Sequence, residues 1–161
     1  MSTIRVAWGS ATGPTEMSSF DAALAEAGVH NYNLVALSSV IPAEAGLERV
    51  GTAPDLGPTG EALYAVVGRE TLPPGADGAA CAGLGWVRSE SGRGLFYEAS
   101  GTDPEAVAEA VEAGLRRGME LREWSFRAEP EVVVESTPAD PAEHATAVVV
   151  AAYGDSESLL D

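Results

Sequence analysis

The sequence predicts an α/β fold in which two packed sheets, mixed or antiparallel, carry helices on their outer faces. Three observations predict it. The chain opens β-α-β, from "TIRVAW" through a helical stretch to "YNLVAL", and further strand patterns follow. One long helix, opened by Asp103-Pro104, breaks into those strands instead of alternating with them. The 161 residues are 45% hydrophobic, enough to fill the core of one domain.

The elements follow in order. Residues 3–8 alternate and are rich in β-formers, which predicts a strand. Residues 9–19, with their Gly, Ser and Thr, predict a loop. A helix is expected over about 18–27, because Phe20, Ala23, Leu24 and Ala27 share one face, and Gly28 caps its end. Residues 32–37 predict a second, buried strand that ends in the pair Ser38-Ser39. Residues 43–61 shift to Gly, Pro and acids, a long connection with short extended pieces. Residues 62–70 predict a strand, then "TLPPGADG" a turn region. "AACAGLGWVRSE" and "GRGLFYEAS" predict a hairpin joined through Ser91-Gly92. The long helix takes Thr102 or Asp103 as its N-cap and Pro104 in its first turn. Val107, Val111, Leu115 and Met119 form its apolar stripe; Arg116, Arg117 and Arg122 sit near its end, where cations complement the dipole. "REWSFRAEPEVVVESTP" predicts one or two strands interrupted near Pro130. Residues 144–154 are apolar enough for a sheet centre, and the acidic tail "DSESLLD" is expected to fray.

Charge and missing residues exclude several chemistries. Formal net charge is -16, and all nine basic residues are arginine. A surface so acidic repels nucleic acid and anionic lipid and suits a protein adapted to concentrated salt, where screening removes self-repulsion. No CxxC pair or HExxH occurs, so no metal site is expected. His30 and His144 are the only histidines, and neither sits in a triad-like setting; no G-x-S-x-G elbow appears. With no lysine the chain has neither a P-loop cation nor the internal imine that pyridoxal phosphate requires. The single cysteine, Cys81, excludes an internal disulfide and reads as a small buried hydrophobe. Trp8, Trp86 and Trp124 read as packing or interface residues. The opening residues lack a signal-peptide pattern and no apolar run is long enough to span a membrane, so a cytoplasmic protein is expected.

The serine pair admits one further chemistry. A serine hydroxyl can attack the carbonyl before it, turning amide to ester. Elimination then cuts the chain, and the new terminus becomes a pyruvoyl ketone. Alone, "SS" reads as a strand end entering a turn. Its neighbourhood, "SSFDAALAEAGVHNYNLVALSSVIPAEA", resembles the pyruvoyl-dependent arginine decarboxylases. The resemblance lies in the order FD, NxNL, SSxxP, and continues through "CAGLGWVRSESGRGLFYEASG", "DPEAVAEAVEAGLRRGMELREW" and the last apolar strand.

That resemblance implies an αββα sandwich cut between Ser38 and Ser39, giving residues 1–38 and 39–161. Ser39 would become the covalent pyruvoyl cofactor, with neither pyridoxal phosphate nor metal. L-Arginine would form a Schiff base with it and leave as agmatine and carbon dioxide. Asn33 matches a residue that assists processing, its amide donating to the oxyanion. Glu98 matches the proton donor and needs a desolvated setting, which Phe96 and Tyr97 could supply. Asp21 matches the carboxylate that grips the guanidinium, Leu24 lines the substrate's aliphatic stem, and Ser38 remains at the substrate site. The family's homotrimers, sometimes dimers of trimers, carry active sites between subunits. Two other readings stand beside this one: the same cofactor acting on another amino acid such as histidine, and an uncut, non-catalytic assembly subunit. The resemblance is weakest over residues 50–60 and in the hairpin loop at 88–94.

Overall fold

A computed structural model describes residues 2–126 and 129–161. Two sheets stack face to face with one helix outside each, the expected αββα sandwich. The first sheet is mixed, ordered β2-β5-β9-β1-β4, and the second antiparallel, ordered β3-β7-β6-β8. Their strands are β1 (Thr3–Gly13), β2 (Asn33–Ala36), β3 (Val40–Ile41), β4 (Gly46–Gly51), β5 (Ala62–Leu72), β6 (Ala79–Arg88), β7 (Gly94–Gly101), β8 (Glu131–Pro138) and β9 (His144–Tyr153). The helices are α1 (Glu16–Ala27) and α2 (Pro104–Glu120).

Three apolar layers hold the stack. Ile4, Val6, Leu84, Trp86, Phe96 and Val149 are among those filling the space between the sheets. Ala23, Leu24 and Ala27 seat α1 on the first sheet against Leu63, Val148 and Val150. Val111 and Leu115 seat α2 on the second sheet against Val87 and Leu95. β9 is third of five strands with both faces covered, so Ala145 through Ala152 are all buried. That is why its sequence is apolar on both faces, Thr146 apart, instead of alternating. A buried hydroxyl chain, Ser19 to Thr146 to Thr71, with both links at 2.7 Å, ties α1 to the sheet.

Several boundaries differ from expectation. β1 runs on through residues 9–13, because β9 offers partners as far as His144. α1 starts at Glu16 behind a capping box of Thr15 and Ser18. The connection at 43–61 contains β4, parallel to β1, a pairing that local composition does not encode. Asp103 is the N-cap of α2 by backbone geometry but makes no side-chain cap bond. Strand β8 begins after Pro130, and Phe126 makes an isolated bridge to Ser89; residues 127 and 128 of that expected strand region lie outside the described residues. The tail is pinned through Glu157, which bridges Ala62, while Ser156 Oγ donates to Leu56 O and Glu61. Cys81 is buried, as expected. The described helices include none long and apolar enough to cross a membrane.

The stretch read as a buried strand before the serines is instead the exposed edge of the first sheet. Asn33, Val35 and Ala36 are exposed and Leu34 is half-buried. Among the described residues one neighbour, β5, pairs with it. An apolar edge strand left open in this way offers a surface to a partner chain.

Candidate active site

The chain changes sheets at the serine pair: β2 belongs to the first sheet, β3 to the second, and Ser38-Ser39 make the crossing. Ser39 has φ 65°, alone among the described non-glycine residues in the left-handed region. That conformation costs an L residue roughly 1–2 kcal/mol and persists only where surroundings impose it. Here they do. Ser39 O accepts the Phe96 N–H at 2.8 Å. Val40 pairs Leu95, and Ile41, fully buried, pairs Gly94. Val40 O accepts the Tyr153 hydroxyl at 2.7 Å. The Ser39 hydroxyl donates to Glu98 Oε2 at 3.2 Å, long for an O–H···O bond yet correctly directed.

Glu98 stands on β7, two residues beyond Phe96, with its Cβ facing the first sheet. A Cβ on Gly68 of β5 would lie 3.2 Å from Glu98 Cβ and 3.1 Å from Val149 Cγ2. The bare backbone of Gly68 thus gives the glutamate room at the sandwich edge. Glu98 itself is exposed, and Tyr97 is 42% exposed and turned toward Gly114 of α2. The desolvated setting expected from Phe96 and Tyr97 is therefore not supplied within one chain: neighbours along a strand point to opposite faces, and Tyr97 covers the helix side. On that side a cavity of about 350 Å³ is lined by Ser38, Ser39, Phe96, Tyr97, Arg117 and Arg122.

The other expected residues gather elsewhere. Leu24 and Asn33 line a second cavity of about 430 Å³ with Phe20, Tyr32 and Arg69. The Arg69 guanidinium stacks on Phe20, 4.5 Å from the ring centroid. Asp21, exposed on α1 next to Phe20, has no ion pair among the described residues. Asn33 is not beside the scissile bond. Its amide donates to Gly60 O at 2.8 Å, and from Asn33 to Leu37, whose N–H still bonds Ala65 O, the chain is extended. Four residues at about 3.3 Å each carry it about 13 Å away. The chain therefore holds two separate clusters, Ser39 with Glu98 at one end of β2 and Leu24 with Asn33 at the other.

The family model for pyruvoyl-dependent arginine decarboxylase matches residues 3–158. The chain belongs to that family. Among its relatives, the pyruvoyl-dependent arginine decarboxylase of Halobacterium salinarum is 52% identical over 163 residues, covering 100% of this chain and 99% of the relative. Those of Thermococcus kodakarensis and Pyrococcus furiosus are 41% and 37% identical, covering 80% and 89% of this chain and 83% and 90% of theirs.

Membership in the pyruvoyl-dependent arginine decarboxylases implies a covalent pyruvoyl group, and the crossing fits one. Ser39 sits strained, its hydroxyl on a carboxylate and its carbonyl held by a backbone N–H. The described residues contain no grouping of three or more His, Cys, Asp or Glu that could hold a metal ion. Sequence reasoning missed Tyr153, the Phe96 N–H and Gly68. Tyr153 carried one signal, an aromatic ending an otherwise aliphatic strand; the other two depend on sheet pairing and carry none.

Proposed function

We propose that this member of the pyruvoyl-dependent arginine decarboxylases cuts itself between Ser38 and Ser39 and then converts L-arginine to agmatine and carbon dioxide in sites completed between subunits. The observation that carries the reading is Ser39 itself: the single left-handed non-glycine among the described residues, at the sheet crossing, hydrogen-bonded to Glu98. In the intact chain Glu98 accepts the proton as Ser39 Oγ attacks the Ser38 carbonyl. A C–O bond forms, the Ser38–Ser39 C–N bond breaks as Glu98 passes the proton on to the Ser39 nitrogen, and the amide becomes an ester with a free Ser39 amine. Loss of the Ser39 α-proton expels the Ser38 carboxylate. Hydrolysis of the resulting enamine takes up one water and releases one ammonia. The ketone so formed supplies the electron sink for loss of carbon dioxide. The Phe96 N–H keeps the residue 39 carbonyl in place, and Glu98, whose carboxylate lies against Ser39, would return a proton to the carbon that lost its carboxylate.

Asp21, Leu24 and Asn33 serve this site from a neighbouring subunit, in a homotrimer or a dimer of trimers. The separation of the two half-sites along β2 supports that arrangement, as do the exposed side chains Val35, Val40 and Leu121 around the crossing. Covering by a neighbour also provides the water exclusion that Glu98 lacks in one chain. Asp21 suits a guanidinium because a carboxylate accepts two parallel N–H bonds from it. The same reading keeps the enzyme in the cytoplasm.

Mixing tests it. Ser39→Ala and Asp21→Ala chains, each inactive alone, should recover part of the arginine decarboxylase activity when refolded together, because some mixed sites combine two intact halves. No recovery, with native mass spectrometry showing mixed oligomers, overturns the shared site. Preference for another amino acid in a substrate panel overturns the assignment of arginine.

A further inference from the structure

We infer that Tyr153 is a positioning residue for self-processing: its hydroxyl, bonded to the Val40 carbonyl, holds Ser39 in the left-handed conformation from which the chain cuts itself. The inference rests on the proposed cleavage at Ser38-Ser39. Tyr153 ends β9, the central strand of the first sheet, and its hydroxyl crosses to the second sheet to reach Val40 O at 2.7 Å. That carbonyl belongs to the residue directly after Ser39. The next carbonyl back, Ser39 O, is held by the Phe96 N–H at 2.8 Å. The ring is fixed as well: Tyr153 packs on Phe96 at 6.2 Å, and Phe96 on Trp86 at 6.1 Å, an aromatic row across the inter-sheet core.

Consecutive carbonyls held from two different sheets leave the Ser39-Val40 unit little freedom to turn. Ser39 gains nothing locally from φ 65°, so without the Tyr153 bond it relaxes toward extended backbone and its hydroxyl leaves Glu98. Both bonds lie on the side of the scissile bond that stays with residue 39. They therefore survive the cut and keep the new terminus seated after residues 1–38 become a separate chain. Burial pushes the Tyr153 hydroxyl up to about 12, so it remains a donor throughout the working range.

The test follows the cut by intact mass against time. Tyr153→Phe keeps the ring in the core and should slow appearance of the two fragments about five- to tenfold, the effect of one lost hydrogen bond. Thr146→Val, which removes both hydroxyl bonds of Thr146 from the opposite end of the same strand, should cut at the wild-type rate even where it lowers Tm. An ester in place of the Val40–Ile41 amide weakens the same acceptor with Tyr153 intact, while also removing the Ile41 N–H that faces Gly94, and should also slow the cut, which keeps the inference testable if Tyr153→Phe does not fold. Wild-type rates in Tyr153→Phe and in the ester chain, or equal slowing by Thr146→Val, overturn it. A wild-type chain that never cuts overturns instead the proposed cleavage.

Discussion

Ser39 and Glu98 meet because a strained crossing brings them together, and each is testable alone. Glu98→Gln keeps the size of the side chain but can neither take the Ser39 proton nor return one. Processing should slow, and in any processed fraction turnover should fall about a hundredfold or more, with KM changed little. Unchanged turnover would remove Glu98 from the chemistry. Gly68→Ala acts through Glu98: the new Cβ, 3.2 Å from Glu98 Cβ, must push it or Val149 aside. A loss of turnover larger than the loss of stability is expected, read as kcat against Tm; a drop in Tm with full turnover would contradict it. The motif made Ser39 and Glu98 legible as residue types in a familiar order. It could not show Gly68 or Tyr153, whose contacts exist only because two sheets stack in one register. It also suggested nearness for Asn33, six positions before Ser39, where an extended strand imposes distance.

Elements with strong periodicity or cover were legible: α1, α2, the β6–β7 hairpin and β9 stand where their patterns put them. β4 and the pinned tail were not, because each is held by a partner far away in sequence, β1 for one and Ala62 for the other. The apolar pattern of β2 suggested burial that its place at the sheet edge does not provide. Beyond β4, the free edge of β1 gathers carboxylates from two other elements. The Ser10 N–H donates to Glu26 Oε1 on α1, and Glu135 approaches Ser10 from β8. Burial pushes the Glu135 carboxyl above its ordinary value; the Ser10 side chain opposes this, Glu26 adds to it, and a backbone bond from Ser136 opposes it. The folded chain thus holds that proton more tightly than the unfolded chain. The stability it contributes is present below the ordinary carboxylate value and is lost as pH rises through the elevated folded value. Glu135→Gln should raise Tm at pH 7 relative to wild type, with the difference closing toward pH 4. A variant equally destabilised at both pH values would contradict this.

At the scale of the whole molecule, a net charge of -16 on 161 residues repels itself. Screening reaches about 30 Å at 0.01 M salt but only about 3 Å at 1 M, so the repulsion is removed in concentrated salt. Tm should rise steeply from low to molar KCl, and an equally high Tm at low salt would contradict a salt-adapted surface. The same absence of lysine that shapes the surface shapes the chemistry: without a lysine for pyridoxal phosphate, amine decarboxylation here needs a carbonyl the chain makes itself. That claim is tested most directly by one intact mass spectrum after incubation in molar KCl. The account predicts two chains, residues 1–38 with an ordinary carboxyl end and residues 39–161 beginning with a pyruvoyl group. A single uncut chain, or a second chain beginning with a free serine amine, would contradict it.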